Sequence, residues 1–182
     1  LHLSIRRQRQ MCIRDRETRP LTDRIKQSLF DWLGQSMDGW RVVDACAGSG
    51  VFGIECASRG ASEVHLCEPA RHAVPTIREN LAAVGNPASV RLHSHGFQTV
   101  LPGLSGIDLV FCDPPFPWFR DERGYLSKLV EQSGACLAEG GLVLIRGERG
   151  QELPEHGLVE RERREYGRSW VALLVRPSHP AD

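Results

Sequence analysis

The stretch Asp44-Ala45-Cys46-Ala47-Gly48-Ser49-Gly50 constrains this chain more than any other, because it follows the apolar pair Val42, Val43 and opens a helix-like run at Val51. A strand that turns through glycines into a helix gathers unpaired backbone N–H groups and the positive end of a helix dipole at one point. Something polar or anionic is expected there. With Gly53 added, Gly48, Gly50 and Gly53 satisfy the glycine spacing of a dinucleotide-binding turn, and Glu68 stands where a carboxylate accepts from ribose hydroxyls. A nucleotide-like ligand follows, and its identity is open at this point.

The rest of the chain continues the alternation that such a turn begins. Thr22 can cap a helix whose apolar side is Ile25, Leu29, Trp32 and Leu33, and Gly39 precedes a first strand, Arg41 to Cys46. Residues 51 to 59 read as a helix stopped by Gly60, and Glu63 to Cys67 as a second strand. Pro69 starts a helix carrying Val74, Ile77, Leu81 and Val84, with Pro75 expected to bend it or delay its start. A short strand, Val90 to His93, leads to a turn at Ser94-His95-Gly96, and Ile107 to Cys112 is a strongly apolar strand ending in Asp113-Pro114-Pro115-Phe116. Two prolines there cannot donate to a ladder, so the chain leaves the sheet. A helix from Tyr125 to Leu137, a turn at Glu139-Gly140-Gly141 and a strand from Leu142 to Arg146 complete another unit. Leu158 to Tyr166 and Ser169 to Val175, joined at Gly167-Arg168, read as an antiparallel hairpin. The expected architecture is a three-layer α/β fold with a mostly parallel sheet and ligands at the carboxyl ends of its strands.

Composition bounds what such a fold can be. A chain of 182 residues that is 41% hydrophobic suits one domain with one sizeable core. Residues 1–26 carry eight basic side chains against three acidic ones, while the formal net charge is zero, so an anionic partner would be met mainly by the N-terminal end. Residues 1–18 lack helical or strand periodicity and read as a basic arm, disordered or in part non-native, since Gln10-Met11-Cys12-Ile13-Arg14-Asp15-Arg16 resembles translated adapter sequence; residues 19–182 are the folded domain. The six cysteines (12, 46, 56, 67, 112, 136) form no C-x-x-C pair and no zinc-spaced cluster, so neither a metal site nor a disulfide framework is expected. Reduced cysteines in apolar runs suit a cytoplasmic protein. No apolar run is long enough to span a bilayer and no signal-peptide core is present, so no membrane partner is expected.

Asp44, the glycine turn, Glu68, His95 and Asp113 each fall at the carboxyl end of a successive predicted strand, which in an open parallel sheet puts them in one crevice. Pro69 beside Glu68 offers an apolar face for a base. The tetrapeptide Asp113-Pro114-Pro115-Phe116 resembles the acceptor motif of amino-methyltransferases. An amine conjugated to a ring is a poor nucleophile, and two acceptors, the Asp113 carboxylate and the Pro114 carbonyl, could hold its N–H groups with the lone pair aimed at a donor methyl. Phe116 could stack on the base once it has left its helix.

The likeness extends over Arg19-Pro20-Leu21-Thr22-Asp23-Arg24, Leu29-Phe30-Asp31-Trp32-Leu33, residues 44–53 and Phe111-Cys112-Asp113-Pro114-Pro115-Phe116. In that order these stretches resemble the bacterial 16S ribosomal RNA guanine-N2 methyltransferases, from Arg19 to about Arg176. The resemblance implies a Rossmann-like class I S-adenosylmethionine-dependent methyltransferase with a seven-stranded sheet and an antiparallel C-terminal hairpin. It also implies action as a monomer on one guanine of 16S rRNA, in the 30S subunit or its precursor. Carried over, Asp44, Cys46, Gly48, Gly50, Glu68, Pro69 and His95 would meet the donor, and Asp113, Pro114 and Phe116 the guanine. The chain departs from the family at His95, where relatives have Asp or Asn, at Cys46, where they tend to have phenylalanine, and at Leu21, in place of threonine.

Other readings of the same residues remain. A DNA adenine-N6 or protein glutamine methyltransferase uses a similar tetrapeptide but normally needs a recognition insertion that this compact chain lacks. An NAD-dependent oxidoreductase would use Gly48, Gly50 and Gly53 yet leave Asp113-Pro114-Pro115-Phe116 without a role. Arg161, Arg163, Arg164 and Arg168 alternate with Glu160, Glu162 and Glu165 and read as a solvated hairpin face, while Trp118 and Phe119 read as base-pocket lining or as packing.

Overall fold

The computed structural model describes residues 21–120 and 124–177. The basic arm expected at residues 1–18, and Arg19-Pro20 after it, lie outside the described residues. Helix α1 (Asp23–Leu33) begins where Thr22 Oγ1 accepts the Ile25 N–H at 3.3 Å, as its capping role requires, and buries Ile25, Leu29 and Phe30. Strand β1 (Arg41–Asp44) ends two residues earlier than the sequence pattern suggests, because Ala45 and Cys46 already belong to the turn. It is followed by α2 (Val51–Ser58), β2 (Glu63–Cys67), α3 (Val74–Ala83) and β3 (Val90–His93). Helix α3 starts at Val74 rather than at Pro69, with Pro75 in its first turn. A proline there has no amide to waste, so it delays the helix instead of bending it.

A short α4 (Phe97–Val100) and a 3₁₀ turn (Leu101–Gly103), neither evident in the sequence pattern, precede β4 (Ile107–Cys112). A second 3₁₀ turn (Phe116–Arg120) carries the chain away from the sheet before α5 (Tyr125–Cys136). Strand β5 (Leu137–Glu148) is longer than expected, because the Glu139-Gly140-Gly141 segment is an irregularity within it and not a turn before it: the register against β4 shifts between Ile107 and Leu109. A Cβ on Gly141 would stand 2.7 Å from the Ile107 carbonyl oxygen, which is why glycine occupies the crossing. The hairpin of β6 (Val159–Tyr166) and β7 (Ser169–Val175) turns through Gly167 at φ 64°.

The strands form one sheet in the order β3-β2-β1-β4-β5-β7-β6, parallel from β3 through β5 and antiparallel for β7 and β6. Period-two alternation sorts side chains between two cores. Val42, Leu109, Phe111 and Leu144 face α1, α2 and α3, while Val43, Val110, Cys112 and Ile145 face α4 and α5. Phe52 joins helix to sheet on the first side, stacked 5.3 Å from Phe30 and 3.9 Å from Phe111. A sheet covered on both faces can present a ligand site only at an edge or at its strand ends. The fold is therefore the three-layer Rossmann-like arrangement that the pattern predicts, and no helix among the described residues is long and apolar enough to cross a membrane.

Candidate active site

At the carboxyl end of the central strands two corners stand side by side. Strands β1 and β4 are parallel neighbours with Asp44 opposite Phe111, and the ladder extends past both, since the Ala45 N–H donates to the Phe111 carbonyl at 2.9 Å. The loop after Asp44 and the corner at Asp113 therefore leave the sheet together, on the same edge.

The first corner is held by main chain. The Ala47 N–H donates to the Cys67 carbonyl at 3.0 Å, which fixes the loop to β2 as well as to β4. The Gly48 N–H donates to Glu68 Oε2 at 2.7 Å, and the Ala70 N–H to Glu68 Oε1 at 2.8 Å, so this buried carboxylate locks both the glycine loop and its own turn. Each oxygen keeps a second lone pair for another donor. Gly48 and Gly50 have φ of 55° and 76°, and nothing lies within 4 Å of where a Cβ on Gly48 would stand. Gly53 has a different role: a Cβ there would sit 2.3 Å from Leu66 Cδ2, so this glycine lets α2 lie against β2. Its N–H donates to Asp44 Oδ2 at 3.1 Å. The other oxygen, Asp44 Oδ1, is buried without a partner.

Burial raises the Asp44 carboxyl to about 7, against the opposing hydrogen bond from Gly53 and with help from the charges of Asp113 and Glu68. Cys46 is half-buried at the edge of the α4–α5 core, and burial, followed by the neighbouring Cys112 and the carboxylates, pushes its thiol well above the ordinary value. It is a neutral, packing side chain. His95 is exposed on the loop after β3, next to Gly96, whose Cβ would stand 3.8 Å from Pro69 Cγ. The loop bearing His95 is thus brought to the Glu68–Pro69 turn.

The second corner is held by side chains. Pro114 is buried, and Phe116 is half-buried at the start of its 3₁₀ turn. Asp113, 18% exposed, accepts from Arg146 Nη1 at 2.8 Å through Oδ2, and its carboxyl lies above the usual carboxylate range because burial outweighs the pull of that guanidinium. Gln151 Nε2 donates to the Phe116 carbonyl at 3.3 Å. Neither Arg146 nor Gln151 stands out as a site residue in the sequence. The available signal for Arg146 was a full charge at the end of the apolar strand Leu142-Val143-Leu144-Ile145, which must find a counter-charge if it is buried. Asn80 is a third such residue: its Nδ2 donates to the Ser49 carbonyl at 2.9 Å, tying α3 to the glycine loop.

Trp118 and Phe119 serve as packing. Trp118 stacks on Tyr125 at 5.3 Å and tilts against Phe97 at 5.8 Å, and Phe119 meets Trp170 edge-on at 5.8 Å. On the hairpin, Arg163 makes a two-pronged bond to Glu160 and Arg164 pairs with Glu162 at 2.7 Å, which is the self-neutralised face that the alternation of charges predicts. Among the described residues no cluster of metal-ligating side chains occurs.

A family model described as conserved hypothetical protein 95 matches residues 4–175. YlbH of Bacillus subtilis (strain 168), a candidate rRNA methyltransferase, is 30% identical over 162 residues, covering 86% of each chain. Ribosomal RNA small subunit methyltransferase D of Escherichia coli (strain K12) is 32% identical over 139 residues, 75% of this chain and 67% of that one. Among solved structures, the Escherichia coli candidate methyltransferase yhhF superposes with a TM-score of 0.74 at 26% identity over 90% of each chain. A conserved hypothetical protein of Streptococcus pyogenes does so with a TM-score of 0.71 at 28% identity, over 86% of this chain and 98% of that one. On these matches the chain belongs to the conserved hypothetical protein 95 family, a bacterial 16S rRNA methyltransferase family.

Proposed function

We propose that the protein transfers a methyl group from S-adenosylmethionine to the exocyclic N2 amine of a guanine in 16S rRNA, acting as a cytoplasmic monomer on the 30S subunit or its precursor. The observation that carries this reading is the shared exit of the Asp44 loop and the Asp113 corner from neighbouring parallel strands. A donor held at the first corner and a base held at the second would meet over one short gap. The name of the Escherichia coli relative, ribosomal RNA small subunit methyltransferase D, supports the substrate class.

The residues at the first corner fit the donor. S-adenosylmethionine carries a sulfonium, an ammonium and a ribose diol, so its holder should be anionic and should leave room beside the main chain. Asp44 Oδ1 is a buried acceptor without a partner, Glu68 keeps lone pairs beyond its two backbone bonds, and the space beside Gly48 is open. Asp44, Gly48, Gly50 and Glu68 would hold the donor, with Pro69 as an apolar face for its adenine and Cys46 and His95 at the margins. Bound there, the donor supplies an electrophilic methyl group.

At the second corner Asp113 and the Pro114 carbonyl accept the two N–H groups of the guanine amine, and the lone pair is thereby turned outward. Orientation of this kind replaces the entropy cost of an encounter and is the larger part of what the protein can contribute. Phe116 stacks on the base, which must be out of its helix to reach a corner this enclosed. The guanine amine then sheds its extra proton to water.

The decisive experiment is incubation of the purified protein with unmodified 30S particles and methyl-labelled donor, followed by mapping of 16S rRNA at single-nucleotide resolution. N2-methylguanine at one position is expected. Label on adenine, on protein glutamine or nowhere overturns the proposal, and calorimetry in which NAD binds and S-adenosylmethionine does not would replace it with the oxidoreductase reading.

A further inference from the structure

Arg146 is 2% exposed, near the end of β5, on the face of the sheet that Leu144 shares and opposite Val171 of β7. A guanidinium is rarely buried without anions and acceptors to compensate it. Nη1 donates to Asp113 Oδ2 at 2.8 Å and Nη2 to Ser169 Oγ at 3.3 Å, and the guanidinium carbon lies 5.6 Å from the centre of the Phe116 ring. A cation placed only for packing could end on any carboxylate. This one ends on the acceptor tetrapeptide and touches two of its members.

Its surroundings brace it. A Cβ on Gly147 would stand 2.2 Å from Trp170 Cζ2, so the glycine after Arg146 lets the indole lie against β5. Trp170 Nε1 donates to the Glu148 carbonyl at 2.8 Å, and Gln151 Oε1 accepts the Glu148 N–H at 2.7 Å while its amide nitrogen reaches Phe116. The end of β5 and the turn after it thus form a buttress under the corner. Among the described residues, Arg146 from β5 is the charged group that acts on Asp113, and Asp113 in turn acts on Asp44 of β1, on which Glu68 from the turn after β2 also bears; the neutral thiols of Cys46 and Cys112 lie alongside.

We infer that Arg146 is the positioning residue of the acceptor corner. It grips Asp113 by Oδ2, leaves Oδ1 to the guanine amine, and supplies the positive charge that keeps this buried carboxylate an acceptor. The inference rests on the methyl-transfer reading and adds to it the device that sets the state of its acceptor. Burial alone would hold Asp113 protonated over a wider pH range, and a protonated carboxyl offers the amine a donor where an acceptor is needed.

The test uses Arg146→Met and Arg146→Lys in the full chain, with two readouts. Carbon-13 NMR of aspartate-labelled protein without ligands follows the Asp113 carboxyl directly, assigned by its loss in Asp113→Asn. Its titration should move to higher pH in Arg146→Met and stay nearer the wild type in Arg146→Lys. In single turnover on 30S particles, Arg146→Met should lose about a hundredfold in rate. Its acidic limb should move to higher pH while donor affinity holds, and lysine should rescue part of the rate. A folded Arg146→Met protein whose Asp113 titration and acidic limb are unmoved overturns the inference. If the methionine variant does not fold, lysine decides: a rate equal to wild type overturns the positioning role, and a reduced rate with a near-normal titration supports it. Failure of the wild type to methylate a guanine amine overturns the reading of the site itself, which the NMR titration, needing no substrate, keeps separate.

Discussion

The two corners that meet at the strand ends are built by different means. The loop from Asp44 to Gly50 is held by its own backbone N–H groups on carbonyls of β2 and β4 and by a carboxylate eighteen residues beyond its end, in the turn after β2. The Asp113 corner is held by Arg146, Gln151 and Trp170, which come from the far side of an intervening helix and from the hairpin. A corner made of main chain depends on glycines and local geometry, whereas one made of side chains depends on distant charge and packing. The first should fail by misfolding locally, the second by losing orientation while the fold survives.

The largest effect should come from removing the acceptor. Asp113→Ala should lower methyl transfer by about a thousandfold, at the upper end for a preorganised polar group. It also takes the Asp113 carboxylate from a buried guanidinium, at a cost of about 3–5 kcal/mol in stability. Single-turnover rates and urea unfolding measure the two losses, and donor affinity by calorimetry should change little. A variant with near-normal rate would erase the distinction between the corners.

Next comes the pH dependence of the first corner. The Asp44 carboxyl rises from 3.8 to about 7 on folding, so the native state binds a proton that the unfolded state has released across that window. Its contribution is full below the unfolded value and is lost as pH rises through about 7, by roughly 4 kcal/mol at about 1.4 kcal/mol per unit. Denaturation between pH 4 and 8 without ligand should show this decline, and Asp44→Asn should flatten it.

Gly53→Ala tests the main-chain character of that corner. The new methyl would meet Leu66 Cδ2 at 2.3 Å and Val64 Cγ1 at 3.1 Å, and about 1–3 kcal/mol should be lost as α2 is pushed from the sheet. Thermal unfolding and donor affinity should fall together; a fall in only one would mean that packing and binding are separable here. Glu68→Ala should weaken donor binding about tenfold or more, because it releases two backbone donors and removes the carboxylate proposed to accept from the ribose. Unchanged affinity would remove Glu68 from the donor's holders. The smallest effect belongs to Gln151→Ala, with a cost of about 1 kcal/mol and a modest loss of rate through Phe116, read as a change in kcat with donor KM constant.

The contrast also explains what could be read before any coordinates. Alternating strand and helix, the Thr22 cap, the glycine loop, the apolar β4 and the hairpin are encoded by neighbours in sequence, and each is where its pattern puts it. The start of α3 turned on Pro75, whose two options, bend or delay, differ only in how the preceding residues pack. The β5 irregularity was hidden because Glu139-Gly140-Gly141 has the composition of a turn, and only the Ile107 carbonyl facing Gly141 makes it part of a strand. Arg146 read as the end of a strand. Its role depends on β4 lying next to β5, a tertiary fact that no local window contains.

The order of strands at the hairpin has a consequence for biosynthesis. Strand β7 follows β6 in the chain yet lies inside it, against β5, and carries Ser169 and Trp170 to the brace under Asp113. A nascent chain halted before Ser169 would present the unpaired flank of β5 to the cell, with its guanidinium lacking one acceptor. The brace under Asp113 is therefore complete only once the hairpin has folded back, so that two strands late in the sequence finish a corner begun in its middle.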